Sequence, residues 1–143
     1  MARRTGGRGP GKLSAGALVL DRQGLALGVE GDPVVGAQLE HARTHDIEVV
    51  VSTLTLVEAM NPQRLQPRWH YVISKIRIEE VTRQLSDQAV VLLRSAGLHG
   101  HTYAIDAVVA ATAMAQHGPT MLLTSDLDDM AKLCDKRIML VPV

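Results

Sequence analysis

Short apolar runs alternate with helical segments along most of the chain, and this alternation limits the fold more than any other feature. The run Ile47–Val51 is rich in β-branched residues, and the apolar runs Met121–Thr124 and Ile138–Val141 follow later in the chain. Runs of this length that are mostly apolar predict strands buried on both faces, as in parallel sheets. Because helical segments separate them, we predict an α/β fold: a Rossmann-like, mainly parallel central sheet with helices on both faces.

The remaining elements are indicated by apolar spacing and by Pro, Asn and Gly at segment ends. A first strand within Leu13–Leu20 is predicted to lead into a helix, and Ile76–Ile78 is a further strand candidate. The predicted helices are one that begins at Pro33, Thr53–Met60, one around Trp69–Tyr71, Val81–Ala96, Ile105–Gln116 and Asp126–Cys134.

The length of 143 residues suits one domain that can bury a core without disulfides or structural metal. Cys134 is the only cysteine, which excludes an intrachain disulfide and is typical of reducing compartments. No apolar run reaches the roughly 20 residues of a membrane span. We therefore predict a cytoplasmic protein without a membrane partner. Residues 1–11 are Gly-rich and basic, with no acid, which predicts a flexible tail before a single domain at residues 12–143.

Three carboxylates, those of Glu58, Asp106 and Asp126, stand inside or directly after apolar segments. A buried carboxylate is costly unless it is paired, hydrogen-bonded or bound to metal. Ligands of parallel α/β sheets bind at the carboxyl ends of the strands, and Glu58 and Asp126 each follow a predicted strand closely. Asp126 and Asp129 are three residues apart and share a helix face. A cluster of oxygen ligands favours Mg²⁺ or Mn²⁺ over zinc.

Each acid also has a simpler interpretation. Glu58 can be the solvent-facing residue of a short helix, and Asp106 can cap the helix that follows it. Asp126 can cap the next helix, and Asp128 is better explained by its favourable interaction with that helix dipole. These interpretations would all have to hold together, which is a stronger requirement than any one of them alone.

Four segments resemble the acidic motifs of PIN-domain ribonucleases of the VapC toxin kind. Leu13–Leu18 resembles the opening strand of that family, in which an aspartate precedes small residues. Ser52–Glu58 resembles the second motif, Ile105–Ala111 the third, and Leu123–Asp129 the fourth. The last two are specific in this order and spacing, and the resemblance covers nearly the whole chain from Leu13.

The resemblance implies Mg²⁺ or Mn²⁺ as cofactor and endonucleolytic cleavage of RNA. It also implies that the chain is the toxin of a toxin–antitoxin pair, with a small antitoxin protein as partner, and homodimers are common among similar proteins. By matching position it gives catalytic and metal-binding roles to Glu58, Asp106 and Asp126, a metal-binding role to Asp129, and a hydroxyl support to Thr124 or Ser125.

The first acidic position of the family falls on Ser14 in this alignment, so a hydroxyl would replace a carboxylate beside the metal. Asp21 would not fill in, because seven residues along a helix correspond to about 10 Å. The sequence therefore leaves two main hypotheses: a metal-dependent endoribonuclease, or a catalytically weakened PIN-like module that binds RNA or a protein without cutting. An unrelated α/β phosphohydrolase is a third, although it would need paired acids after the first strand.

Overall fold

The computed structural model describes residues 14–64 and 67–143, so the predicted tail at residues 1–11 and the start of the predicted domain lie outside the described residues. Within the described ranges, no helix has the length and apolarity needed to cross a bilayer. The strands are β1 (Gly16–Leu20), β2 (Ile47–Ser52), β3 (Arg77–Glu79), β4 (Thr120–Thr124) and β5 (Ile138–Pro142). The helices are α1 (Arg22–Glu30), α2 (Pro33–Thr44), α3 (Thr53–Ala59), α4 (Arg68–Ser74), α5 (Arg83–Ala96), α6 (Gly100–Met114) and α7 (Leu127–Leu133), with a 3₁₀ turn at Pro62–Arg64.

The five strands form one sheet in the order β3-β2-β1-β4-β5, and every neighbouring pair is parallel. The chain builds outward from β1 to β3 and then returns to the other side of β1 to add β4 and β5. Such a reversal of strand order opens a crevice beyond the carboxyl ends of the two central strands, where ligands bind in α/β sheets. The predicted α/β fold with a parallel central sheet is confirmed.

The sheet is apolar on both faces because helices cover both of them. Successive strand residues point to opposite faces. Leu18 and Leu20 of β1 pack with α1, α2 and α4, whereas Val19 between them packs with α5, α6 and α7. All three side chains are fully buried. This arrangement explains why the strands read as continuous apolar runs rather than as alternating ones.

Helix α6 begins earlier than predicted. It starts at Gly100 rather than at Ile105, and the backbone of Tyr103 is non-helical, with φ −114° and ψ 18°, so the helix is bent there. Gly100–Thr102 are poor helix formers, which is why sequence spacing alone does not include them. Asp106 consequently lies inside α6, after the bend, and His99 is the residue at the cap position.

A buried arginine links three elements near the amino ends of the strands. The Arg77 side chain lies 3.1 Å from Glu48 on β2 and donates to Glu79 on β3 at 2.6 Å. It also donates to the side-chain carbonyl of Gln116, just after α6, at 2.6 Å. The network stabilises the edge of the sheet opposite the crevice.

Candidate metal centre

Asp21 follows the last residue of β1 and is buried, with 7% of its surface exposed. One carboxylate oxygen accepts from the backbone N–H of Gly24 at 2.8 Å, which caps the start of α1. The other accepts from the backbone N–H of Ser125 at 3.0 Å. Asp21 therefore joins the ends of β1 and β4, the two strands that flank the crevice.

Asp126 and Asp129 lie at the start of α7, directly after β4. Asp126 occupies the cap position of this helix, but its side chain makes no capping hydrogen bond. Its carboxylate points instead to the same place as those of Asp129 and Asp106: one oxygen from each of the three lies within 4.8 Å of the others. The capping interpretation is therefore not supported for Asp106, which lies inside α6, nor for Asp126, whose side chain accepts no capping hydrogen bond.

Glu58 reaches the same region from α3. The Ser52 hydroxyl accepts from the Leu54 N–H at 3.1 Å, so the last residue of β2 caps α3 and turns it across the carboxyl edge of the sheet. The side chain of Glu58 is exposed on one side, as its solvent-facing interpretation requires. Partial burial raises the pKa of its carboxyl, the nearby Arg22 guanidinium lowers it, and the charges of Asp21 and Asp126 raise it further.

Asp106 is the most perturbed of the acids. Partial burial, followed by the charges of Asp126, Asp129, Glu58 and Asp21, raises the pKa of its carboxyl to about 6. Like charges that are held together favour protonation of one member of the group. Four acids from three other segments of the chain therefore raise the pKa of Asp106.

Thr124 and Ser125 shape the turn between β4 and α7. The buried Thr124 hydroxyl accepts from the backbone N–H of Asp126 at 2.9 Å, which holds the acid at the strand end. Ser125 takes part through its backbone N–H, which donates to Asp21, and its side chain is exposed. Asp128 is also exposed and is not one of the three clustered carboxylates.

The placement of Ser14 at this site is wrong. Ser14 lies two residues before β1, at the amino edge of the sheet, where its hydroxyl donates to the Gly16 carbonyl at 2.7 Å. The length of β1 separates it from Asp21, about 17 Å at the usual rise per residue. Ser14 therefore cannot support a metal bound by Asp106 and Asp126.

Asp21 lies at this site, although the sequence was interpreted as placing it too far along a helix. The structure places it at the cap of α1, directly after the strand, and not partway along a helix. The signal was present, because Asp21 ends the apolar run Gly16–Leu20 much as Asp126 follows Thr120–Thr124. A strand that ends at Leu20 places these two acids at the same edge, on neighbouring strands.

The residues fit a hard divalent cation. Ligand oxygens at about 2.1–2.4 Å from one ion lie up to about 4–5 Å from each other, which matches the spacing of the three clustered carboxylates. All donors are oxygens, and no sulfur or imidazole belongs to the cluster found among the described residues. The positive charge of an ion would also relieve the repulsion that raises the pKa of Asp106.

The fold is similar to those of several solved structures, of which two are described. One is a chain from the crystal structure of VapBC2 from Rickettsia felis bound to a DNA fragment from the VapBC2 promoter. Its TM-score is 0.64 and its sequence identity is 13%, and the match covers 89% of this chain and 98% of that chain. The other is a chain of a toxin–antitoxin complex from Klebsiella pneumoniae, with a TM-score of 0.65 at 20% identity, over 85% and 95%. No family model and no curated protein matches the sequence. The likeness establishes a PIN-like α/β fold.

Proposed function

We propose that this chain is a metal-dependent endoribonuclease that acts as the toxin of a toxin–antitoxin pair. The observation that carries the proposal is the convergence of Asp106, Asp126 and Asp129 at the carboxyl edge of the sheet, with Asp21 and Glu58 acting electrostatically on the same point. Gathering these charges costs stability in the absence of a cation. A cluster of this kind at the switch point of a parallel sheet is best explained by a ligand that it binds.

Asp106, Asp126 and Asp129 would hold Mg²⁺ or Mn²⁺, and Glu58 would contribute from α3. When bound, such an ion activates water and stabilises the leaving oxygen of a phosphodiester. Asp21 would add its negative charge to the site and hold the ends of β1 and β4 together, since its two oxygens accept backbone N–H groups from both segments. Thr124 keeps Asp126 at the strand end through its hydroxyl. The chemistry needs no nucleophilic side chain.

The partners in this proposal are RNA as substrate and a small antitoxin protein. The antitoxin rests on the two similar structures, one of VapBC2 and one of a toxin–antitoxin complex. The choice of RNA rests on the resemblance of the acidic motifs to PIN-domain ribonucleases. A homodimer stays a prediction.

The alternative of a non-cutting module was based on a missing carboxylate at Ser14. Asp21 supplies a carboxylate at that edge of the sheet, so this reason no longer applies. A phosphohydrolase with paired acids after the first strand is also disfavoured, because Asp21 is followed by Arg22 and Gln23. The nuclease is therefore the function that the geometry supports best.

The test is RNA cleavage by the purified protein. Structured RNAs are incubated with wild type in Mn²⁺, in EDTA, and with the variants Asp106→Asn and Asp128→Asn. We expect cleavage in Mn²⁺ that EDTA and Asp106→Asn abolish. Asp128→Asn is the matched control, since it removes an acid from the same turn of α7 but outside the cluster. Cleavage that persists in Asp106→Asn would indicate a contaminating nuclease and reject the proposal.

A further inference from the structure

We propose that the groove along α1 beside the acidic cluster is a binding site for an unpaired nucleotide of the RNA, with Trp69 as the stacking surface. This inference rests on the proposed function and names the substrate class. Its contact residues are Arg22 and Glu58 at the end nearest the cluster and Trp69 on α4 as a wall. The groove is open and has a volume of about 260 Å³.

The groove is continuous with the candidate metal centre. Glu58 belongs to both, and Arg22 follows Asp21 directly in the sequence. From there the groove follows one face of α1, from Arg22 to Glu30. Eight residues of helix correspond to about 12 Å. An RNA strand bound at the acidic cluster would therefore place its neighbouring nucleotide in this groove.

Trp69 has the properties of a stacking surface. It is half-buried: part of the side chain packs against the core between the sheet and α1, and part of it lines the groove. A ring that is anchored in this way loses little conformational freedom when a base stacks on it. Proteins that recognise unpaired RNA commonly stack its bases on aromatic side chains.

Two arginines, one near each end of α1, are placed to contact phosphates of a strand that passes along the groove. The Arg22 guanidinium is exposed at the end near the cluster. The Arg68 guanidinium lies against Gly31, just beyond the far end of α1. Glu30 at that end already has interaction partners within the protein. Gln23 and Asn61 add amide groups that can hydrogen-bond to base edges.

An unpaired base can enter the groove more easily than a paired one. The volume of about 260 Å³ is large enough for a single base and its sugar. A base inside a duplex also cannot reach an aromatic face unless it leaves the stack, which costs a few kcal/mol. The substrate class is therefore a loop, a bulge or a single strand.

Trp69 is the only tryptophan of the chain, so its fluorescence reports on this groove alone. The full-length protein is titrated with a short unpaired oligoribonucleotide of mixed sequence, with a duplex of that sequence, and with the same strand lacking its bases. Strand integrity is checked on gels. We expect the unpaired strand to quench Trp69, and the duplex and the abasic strand to leave its emission unchanged.

The variants are tested by fluorescence anisotropy with the same strand, labelled. Trp69→Leu should weaken binding about tenfold, whereas Trp69→Phe keeps an aromatic face and should bind within about threefold of wild type. Arg22→Gln should also weaken binding about tenfold. Its matched control is Arg94→Gln, an exposed arginine on α5, which packs on the opposite face of the sheet. Melting temperatures verify that the Trp69 variants are folded.

The proposal is overturned if RNA binds without changing Trp69 emission, or if the abasic strand quenches equally well. Quenching by a short arginine-rich peptide but not by RNA would also overturn it and assign the groove to a protein partner. Cleavage is measured in parallel with Mn²⁺. Cleavage without a Trp69 response rejects only the nucleotide site, whereas a Trp69 response without cleavage supports that site and rejects the nuclease.

Discussion

The electrostatic repulsion among the clustered acids affects the pKa of Asp106 most. Its pKa of about 6 lies above that of an ordinary carboxyl, so the folded protein binds this proton more tightly than the unfolded chain does. The stabilising effect of the proton is complete below the ordinary carboxyl pKa and is lost as the pH rises through about 6. Ionisation of Asp106 should therefore lower the stability of the metal-free protein as the pH rises from about 4 to about 6.

We predict that Asp106→Asn stabilises the metal-free protein at pH 7, because it removes one of the repelling charges. The expected gain is about 1 kcal/mol, since the half-exposed site is screened by solvent. The same variant should lose the increase in melting temperature that Mn²⁺ causes in wild type. Urea unfolding and thermal melts, each at pH 5 and pH 7, measure both effects. Destabilisation by Asp106→Asn with a normal Mn²⁺ response would mean that Asp106 stabilises the fold and does not bind the ion.

We predict different effects on Mn²⁺ binding for substitutions at Asp21 and at Ser14, the two residues considered for the family's first acidic position. Asp21→Ala leaves the N–H groups of Gly24 and Ser125 without their acceptor, so it should cost about 1–3 kcal/mol. It should also weaken Mn²⁺ binding roughly tenfold, as the loss of a positioning partner does at metal sites. Ser14→Asp should leave Mn²⁺ affinity unchanged, as measured by titration calorimetry. Tighter binding by Ser14→Asp would contradict the observed position of β1.

At the scale of elements, the start of β1 depends on a glycine. Gly16 has φ +153°, and a Cβ at this position would lie 2.5 Å from the Pro119 carbonyl oxygen. The Ala17 N–H donates to that same carbonyl at 2.9 Å. The register between β1 and β4, which sets the relative heights of Asp21 and Asp126, therefore begins at a point where only glycine fits.

We predict that Gly16→Ala destabilises the fold by about 2 kcal/mol or more, through the contact with Pro119 and the unfavourable φ. The matched variant is Gly36→Ala on α2, where an added Cβ meets no atom within 4 Å. It should stabilise the protein by up to about 1 kcal/mol, because alanine favours the helix. Both values come from urea unfolding. Equal effects of the two substitutions would mean that the β1 start tolerates a side chain.

For the whole molecule, the two edges of the sheet have separate roles. The buried Arg77 network holds the amino edge, and the acids occupy the carboxyl edge. Arg77→Met removes the cation shared by Glu48 and Glu79, and we expect a loss of about 3 kcal/mol in unfolding free energy. Mn²⁺ affinity should not change.

The control for this variant is Arg43→Met, which removes an exposed ion pair with Glu40 on α2 and should have no measurable effect. Unfolding free energy is measured with urea and Mn²⁺ affinity by calorimetry. If folded Arg77→Met binds Mn²⁺ clearly more weakly than wild type, the two edges are coupled and their separation is wrong.

Local pattern was sufficient wherever a feature depends on near neighbours in the chain. The run Ile47–Val51 predicts β2 because its β-branched residues favour a strand, and Glu48 is the one charged residue within it. Asp126 and Asp129 were correctly placed on one helix face, because that depends only on helical spacing. Local pattern does not predict the bend at Tyr103, since the poor helix formers before it belong to a helix that packs against α5.

The sequence by itself determined the class of fold and the acids that had to be explained. Both depend on residue type, because strands buried on both faces need apolar residues and a charged residue in an apolar segment needs a partner. Only the tertiary structure decided that β1 ends at Leu20, and therefore that Asp21, and not Ser14, lies at the carboxyl edge of the sheet. The reason is physical. An apolar run that is preceded by small residues can begin at more than one position, and here pairing with β2 and β4 sets where the strand begins and ends.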